Sequence, residues 1–254
     1  MLKYDAIDND KEEWVVFIHG IGGSTKTWKK QIDIFSEKFN LLLLDLPGHG
    51  DNSDNIINKV DLSKLYKGIK DTLDYLKIKT AHFIGMSLGT LVIAEFVTLY
   101  PEYVTDIVLG GAILEISGIY RECMMLANLI KNCVPYKFLY NFFTWFMMPK
   151  ENHKKSREIF LREVVKLKKE TMLAYIGYLQ RALSTNEIIK KIDKSGKKIL
   201  LISGNEDHCF LGGTKKLFKK VHNAKMIVLE KCGHVCTIEK YKEFNNYALE
   251  FIGG

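Results

Sequence analysis

Short apolar runs alternate with longer amphipathic stretches along most of the chain. The apolar runs are rich in Val, Ile and Leu, which is typical of strands covered on both faces of a parallel sheet. The stretches between them have the spacing of helices with one apolar face. This alternation predicts an α/β fold, with a mostly parallel central sheet flanked by helices. The predicted strands are residues 14–18, 41–44, 81–84, 106–109, 198–202 and 226–229, and the predicted helices are residues 27–39, 61–76, 88–100, 213–221 and 238–251.

The alternation is interrupted once, by a middle segment that spans residues 113–192. This segment is helical in composition and contains no obvious parallel strand. We therefore predict a helical cap or lid insertion between two parts of one core, residues 1–112 and 193–254. The insertion is expected to cover the carboxyl edge of the sheet, where open α/β sheets bind their ligands.

Residues 138–148 of the middle segment are rich in aromatic side chains and Met. Most of these side chains are expected to pack as the apolar face of a helix on the main domain. A subset of them, with Trp145 and Phe146 as the candidates, is predicted to line an apolar substrate pocket together with Met86 from outside this segment.

The composition excludes several classes of protein. Of the 254 residues, 47% are apolar, which is enough for a large core and excludes a disordered chain. The formal charge of +7 arises from 37 basic and 30 acidic side chains, and nearly all of the basic ones are Lys. Nucleic-acid readers cluster Arg for bidentate contacts, so we expect no nucleic-acid partner.

The start of the chain and its cysteines indicate a location. Residues 1–13 are acidic and contain neither the basic nor the apolar region of a secretory signal. No apolar run approaches the ~20 residues that span a bilayer. Five cysteines, an odd number, fit reduced thiols better than a disulfide framework. We therefore expect a soluble, cytoplasmic protein without integral membrane association.

One sequence motif suggests a nucleophile. Gly85, Ser87 and Gly89 form a G-x-S-x-G string between a predicted strand and a predicted helix. That context is the one required of a nucleophile elbow, in which a sharp strand-to-helix turn exposes a serine hydroxyl. The string alone is a weak signal, but its flanking elements make coincidence much less probable.

A serine hydroxyl needs a base and a group that orients the base. Asp207 and His234 each follow directly after a predicted strand, so both are expected at the edge of the sheet that carries Ser87. The order Ser, Asp, His along the chain is that of an α/β-hydrolase triad. Glu206 and Glu115 are alternative positions for the acid.

The other candidate groups have less specific signals. His19 and His49 are interpreted as residues that fix loops, His208 as a neighbour of the acid, and the remaining histidines as ordinary strand or surface positions. Cysteines at 209, 232 and 236 lie near His208 and His234, but their spacing matches no zinc pattern. Zinc bound to His234 would also prevent this residue from acting as the base. We predict no metal and no cofactor.

The motifs together resemble those of the α/β-hydrolase superfamily over essentially the whole chain. Besides the elbow, the chain has a His-Gly turn at residues 19–24, a D-x-P-G-x-G turn at residues 45–50, and the segments 199–207 and 232–251 that carry acid and base. The resemblance implies an oxyanion hole formed by the backbone N–H groups of Ile21 and Leu88. The chain departs from the superfamily pattern in two places. Only 13 residues precede the first predicted strand, so the N-terminal edge of the sheet is expected to be short, and Lys197-Lys198 stands where many relatives have a proline.

The resemblance implies a serine hydrolase that cleaves carboxylic esters of small to medium, apolar acyl substrates through an acyl-enzyme. A serine at the elbow argues against the haloalkane dehalogenases and epoxide hydrolases of the superfamily, which use a carboxylate. The alternatives are a C–C bond or amide hydrolase, a lactonase or an acyltransferase with the same triad. A ligand receptor that performs no catalysis is a further alternative.

Overall fold

A computed structural model describes residues 1–114, 134–182 and 187–254 of the chain, except for the side chain of Leu139. Glu115, one of the alternative acids, lies outside the described residues. The strands are β1 (Lys3–Ile7), β2 (Trp14–Ile18), β3 (Asn40–Asp45), β4 (Ala81–Met86), β5 (Val104–Gly110), β6 (Ile199–Gly204) and β7 (Ala224–Leu229). The helices are α1 (Lys29–Ser36), α2 (Leu62–Tyr75), α3 (Leu88–Leu99), α4 (Tyr136–Met147), α5 (Lys154–Val164), α6 (Lys169–Ala182), α7 (Glu187–Lys194), α8 (Leu211–Lys220), α9 (Cys236–Glu239) and α10 (Tyr241–Ile252).

The seven strands form one sheet in the order β1-β3-β2-β4-β5-β6-β7. All neighbouring pairs are parallel except β1 and β3, which are antiparallel. The predicted mostly parallel sheet is therefore confirmed. The edge strand β1 was not predicted, because its alternating polar residues lack the apolar run that reveals a strand covered on both faces.

The sheet separates two apolar layers. Along β2, Val16 and Ile18 face one layer and Val15 and Phe17 the other, because successive side chains of a strand point to opposite faces. Helix α3 is almost wholly buried in the first layer. Helix α10 contributes Phe244 and Ala248 to the second. Burial on both faces explains why the central strands read as continuous apolar runs.

The middle segment contributes helices α4 to α7 in its described part. Helices α4 and α5 pack on each other, and Tyr140, Val164, Leu167 and Met172 form a small apolar cluster of their own. Helix α7 packs against α3 and α8, and it spans the boundary predicted at residue 192. Among residues 1–114, 134–182 and 187–254, no helix is both long and apolar enough to cross a bilayer.

The turn after β3 is built around a buried carboxylate. Asp45 accepts hydrogen bonds from the backbone N–H groups of Thr25 (2.8 Å) and Asp51 (3.0 Å). Gly50 completes this turn with a φ of +56°, and a Cβ at that position would lie 2.0 Å from Asp45 Oδ2. The D-x-P-G-x-G sequence therefore forms one compact turn, in which only glycine fits at position 50 beside Asp45.

Gly50→Ala is expected to destabilise the protein more than Gly196→Ala. Gly196 also has a positive φ, of +68°, but a Cβ there would meet nothing within 4 Å. The Gly196 variant should cost about 1–2 kcal/mol of unfolding free energy, the cost of a left-handed alanine. The Gly50 variant should cost more than about 3 kcal/mol, because the clash with Asp45 is added. Urea unfolding of both variants measures the difference, and equal losses would contradict the proposed role of the contact.

Candidate active site

Ser87 occupies a strained turn between β4 and α3. Its φ of 52° and ψ of −115° are unusual for a residue with a Cβ, and such strain occurs often at functional sites. The turn is tight enough to exclude side chains from its neighbours. A Cβ on Gly89 would lie 2.0 Å from the Ile18 carbonyl oxygen, and a Cβ on Gly20 would lie 3.1 Å from Ser87 Cβ. Gly89 thus allows α3 to pack directly on the end of β2, and Gly20 allows the turn after β2 to pack on the serine.

The structure brings together the three residues that the sequence selected. His234 Nε2 lies 2.9 Å from Ser87 Oγ, and His234 Nδ1 lies 2.9 Å from Asp207 Oδ2. Asp207 is fully buried and His234 is nearly so. Because the carboxylate can only accept, Nδ1 carries the imidazole proton and Nε2 is free to accept the proton of the serine. The arrangement is chemically able to generate a serine nucleophile.

The loops that carry Asp207 and His234 are held against each other by their backbones. The Glu206 N–H donates to the Cys232 carbonyl oxygen at 2.8 Å. A Cβ on Gly204 would lie 2.1 Å from that same oxygen, so the two loops touch where a side chain would separate them. The Phe210 N–H, just before α8, donates to Asp207 Oδ1 at 3.2 Å. The acid is therefore oriented through both of its oxygens.

The predicted oxyanion donors flank Ser87. Leu88 is the first residue of α3, and Ile21 follows the Gly20 that packs on Ser87. Neither backbone N–H has an acceptor among the residues that the structure describes. His19 fixes the Ile21 turn: Leu46 N–H donates to its Nε2 at 3.1 Å, so Nδ1 is the donor to the Gly20 carbonyl oxygen at 2.7 Å. Burial lowers the pKa of His19, which favours this neutral form.

His49 has the loop position expected of it. The ring is buried, lies 5.0 Å from the His19 ring, and packs edge-on against Tyr175. Burial is the main reason that its pKa falls to about 3, and the neighbouring His19 lowers the pKa further. A neutral ring in this position supports the turn and does not contact Ser87 or His234.

Glu206, the alternative acid, faces away from His234. Its carboxylate accepts from Lys150 Nζ (2.8 Å), Asn152 Nδ2 (2.8 Å) and His153 Nε2 (2.9 Å). Hydrogen bonds from Asn152 and Lys150 are the main reasons that the pKa of Glu206 falls to about 2. Asp207 is the acid that the geometry pairs with the imidazole.

A small apolar cavity of about 80 Å³ opens beside Ser87 and His234. Its lining comes from the Ile21 turn, from β4 and from the middle segment, and includes Gly20, Ile21, Gly22, Gly23, Thr27, Trp28, Met86, Met147, Met148, Ser156, Ile159, Phe160, Glu163, Val235, Thr237 and Ile238. Met86 was predicted to line the pocket and lies in this wall.

Trp145 and Phe146, the other two predicted pocket residues, lie outside the cavity wall. Trp145 is 52% exposed, and the Arg157 guanidinium lies 4.0 Å from the centre of its ring. Phe146 stacks on Phe142 and contacts His208. The aromatic residues of helix α4 cover more than half of its circumference, so its sequence does not reveal which face meets the cavity. Met147 and Met148 at its end do so instead.

Glu163 is a buried carboxylate in the cavity wall that the sequence did not single out. It lies within reach of Ser24 Oγ (3.5 Å), and Arg162 and Lys166 pair with it at 3.3 and 2.9 Å. In the sequence it is one acidic residue in a basic stretch, which is typical of an exposed helix face. Its burial depends on how α5 packs, and no local pattern encodes that.

The cysteines near the site behave as buried thiols. Cys209, Cys232 and Cys236 are buried, and burial raises the pKa of Cys232 and Cys236. No group of three or more His, Cys, Asp or Glu side chains suited to a metal ion occurs within the described parts of the chain. Cys232 and Cys236 pack in the second apolar layer of the sheet.

Comparison with known proteins identifies the family. Residues 13–241, about nine-tenths of the chain, match the family described as alpha/beta hydrolase fold. The chain belongs to this family. This α/β hydrolase is 27% identical to a 2-hydroxy-6-oxononadienedioate/2-hydroxy-6-oxononatrienedioate hydrolase of Paraburkholderia phymatum, in an alignment that covers 95% of this chain and 88% of the relative.

Solved structures share the fold of this α/β hydrolase at lower identity. A carboxylesterase of the thaumarchaeon Nitrososphaera gargenis superposes with a TM-score of 0.83 at 19% identity, covering 99% of this chain and 94% of that one. The enol-lactonase of Burkholderia xenovorans LB400 gives a TM-score of 0.83 at 18% identity, covering 100% and 96%. Both alignments cover nearly the whole length of the two chains that they compare.

Proposed function

We propose that this α/β hydrolase is a serine esterase for small, neutral, apolar acyl groups, with Ser87, His234 and Asp207 as its triad. The observation that carries the proposal is the unbroken contact from Asp207 through His234 to Ser87 beside a small apolar cavity. We also propose that the middle segment acts as a cap, because its helices supply one wall of that cavity.

Acylation follows from the positions of the side chains. His234 Nε2 takes the proton of Ser87 as Oγ attacks the acyl carbon, and Asp207 stabilises the imidazolium that forms. The Ile21 and Leu88 N–H groups receive the negative oxygen of the tetrahedral intermediate. Each such donor contributes roughly 10²- to 10³-fold in rate. His234 then protonates the leaving alcohol, and the acyl group stays on Ser87.

Deacylation repeats these steps with water as the nucleophile. His234 removes a proton from the water, which attacks the acyl carbon, and the carboxylic acid leaves as Ser87 regains its proton. No group beyond the triad and the two backbone donors is needed for either half of the reaction.

The charge of the cavity favours neutral acyl groups. Its wall holds the Glu163 carboxylate, and it contains no Lys or Arg among the residues that the structure describes. A carboxylate on the substrate would lose its hydration without gaining a cation from the wall, because the nearby Arg162 and Lys166 already pair with Glu163. The volume of about 80 Å³ is also far below that of a site for drug-sized ligands. Short, uncharged acyl chains meet both conditions.

A second candidate function is hydrolysis of a carbon–carbon bond in a 2-hydroxy-6-oxo acid. The similarity to the Paraburkholderia phymatum enzyme favours it, since that alignment covers almost the whole of both chains. Its named substrate is a dioate, however, and carries two carboxylates. Among the described residues, the cavity wall contains Glu163 and no Lys or Arg that could pair with these carboxylates.

The two functions are separated by one side-by-side assay. We expect turnover of p-nitrophenyl acetate and butyrate, and at least about a hundredfold lower kcat/KM for a 2-hydroxy-6-oxo-dienedioate, the equivalent of about 2.7 kcal/mol. Loss of the ultraviolet absorbance of the dienedioate measures the second reaction. The opposite ratio would assign the site to carbon–carbon bond hydrolysis.

Phe160→Ala is expected to move the acyl-length optimum toward longer chains. Phe160 of α5 lines the cavity, and replacing its ring with a methyl group enlarges the space beside Ser87. Phe142→Ala is the matched control, because Phe142 lies on α4, is 47% exposed and is not part of the cavity wall. A series of p-nitrophenyl esters from acetate to decanoate measures both optima. A shift in the control alone would mean that a different wall selects the acyl chain.

A further inference from the structure

A buried cluster joins the middle segment to the loops of the acid and the base. We call it the His153 cluster; it consists of His153, Glu206 and Glu239. The His153 ring is fully buried, and its Nε2 lies 2.9 Å from Glu206 Oε2 and 3.7 Å from Glu239 Oε2. The Lys150 N–H donates to His153 Nδ1 at 3.4 Å, so Nε2 is the nitrogen that carries the proton toward the two carboxylates.

Glu206 connects the cluster to the acid. It directly precedes Asp207, and its own N–H donates to the Cys232 carbonyl oxygen of the base loop at 2.8 Å. Three donors from residues 150–153 hold its carboxylate, and only 15% of its side chain is exposed. A displacement of this carboxylate would therefore be transmitted to the backbone on which Asp207 sits.

Glu239 connects the cluster to the base. Its carboxylate accepts from the N–H groups of Gly233 (2.6 Å) and Val235 (3.3 Å), the residues on either side of His234. The glycine allows the imidazole of His153 to approach, because a Cβ on Gly233 would lie 2.8 Å from His153 Nε2. One buried carboxylate thus fixes the backbone on both sides of the catalytic imidazole.

We propose that His153 is a positioning residue for the triad. Its Nε2–H donates to Glu206 and faces the Glu239 carboxylate at 3.7 Å, and through these two contacts it keeps the Asp207 and His234 loops in register for proton transfer. This inference rests on the proposed role of the triad. Without the imidazole, Glu206 would lose one of its three donors, and the repulsion between the Glu206 and Glu239 carboxylates would move the loops.

The expected effect falls on turnover and not on substrate binding. His153 is absent from the wall of the cavity beside Ser87. A displacement of a catalytic group by about 1 Å costs roughly 10²-fold in rate. Because residues 150–153 belong to the middle segment, the same segment that walls the cavity also orients the acid and the base.

The test compares His153→Ala, His153→Gln and Tyr178→Phe with the native protein. Tyr178→Phe is the matched control: it also removes one buried hydrogen bond between the middle segment and the core, to Tyr66 at 2.9 Å, far from His234. We measure kcat and KM with p-nitrophenyl acetate, and the rate at which a fluorophosphonate labels Ser87. The labelling rate depends on the triad but not on the identity of the natural acyl group.

His153→Ala is expected to lower kcat and the labelling rate about 10- to 100-fold, with KM changed less than about threefold. His153→Gln, whose amide can donate to Glu206, should recover to within about threefold of native, and Tyr178→Phe should keep native kcat. Native kcat in folded His153→Ala would overturn the proposal. A loss in His153→Ala that equals the loss in Tyr178→Phe would do the same.

Two further measurements separate a folding defect, a failure of the proposed function and a failure of the positioning role. If His153→Ala does not fold, Glu239→Gln replaces it, because its amide leaves one of the two N–H groups beside His234 without an acceptor. A native kcat in folded Glu239→Gln would overturn the proposal. If the native protein neither turns over the ester nor is labelled, the proposed function fails and the positioning role fails with it. If the native protein is active and its kcat does not change in folded His153→Ala, the positioning role alone is contradicted.

Discussion

Ser87→Ala is expected to lower kcat for p-nitrophenyl butyrate by about 10⁴- to 10⁶-fold, with little change in KM. The hydroxyl is the atom that bonds to the acyl group, so its loss removes the covalent route and leaves the cavity intact. The residual rate would come from the oxyanion donors and substrate positioning alone.

The control for this variant is Ser203→Ala. Ser203 is fully buried in β6, and its hydroxyl lies 3.5 Å from Thr214 Oγ1, outside the cavity. We expect this variant to retain kcat within about twofold. Stopped assays with both purified variants, matched for far-ultraviolet circular dichroism, measure the contrast. Ser87→Ala activity above one hundredth of native would contradict the role of Ser87.

Asp207→Asn is expected to lower kcat about 10⁴-fold while the protein stays folded. The Phe210 N–H donates to Asp207 Oδ1, so the amide oxygen of the new Asn should take that position. The amide NH₂ then faces His234 Nδ1, which in the native protein lies 2.9 Å from Asp207 Oδ2. It would donate to Nδ1 and hold the imidazole in the tautomer that cannot accept the serine proton.

A second Asp–His pair in the same chain provides the control. Asp193 contacts His222 Nδ1 at 3.1 Å on the exposed side of α7, far from the cavity. Asp193→Asn should therefore leave kcat within about twofold, even though it changes the same chemical pair. Steady-state assays of both variants test this contrast. A fall of less than tenfold in Asp207→Asn would remove Asp207 from the mechanism.

Much of the fold could be predicted because its signals are local. The strands covered on both faces, such as β2 and β3, appear as apolar runs, and each run ends where a motif begins. The positions of Ser87, Asp207 and His234 after three such runs place them at one edge of a parallel sheet. Their contacts in the structure follow from that topology.

The remaining features depend on tertiary packing. Glu163 and His153 look like surface positions in a basic helical region, but both are buried in the folded protein. The aromatic residues of helix α4 cover more than half of its circumference, so the sequence could not show that Trp145 would face solvent. Glu239 belongs to a short helix whose capping of the His234 loop becomes visible only when the backbone is folded.

The most direct test of the serine mechanism is intact-mass spectrometry of the protein after reaction with a fluorophosphonate. We predict one adduct per chain, a labelled peptide that contains Ser87, and no adduct in Ser87→Ala under the same conditions. Labelling should also stop the hydrolysis of p-nitrophenyl butyrate in proportion to the fraction modified. An adduct on another residue, or an unlabelled native protein that still hydrolyses the ester, would contradict the account.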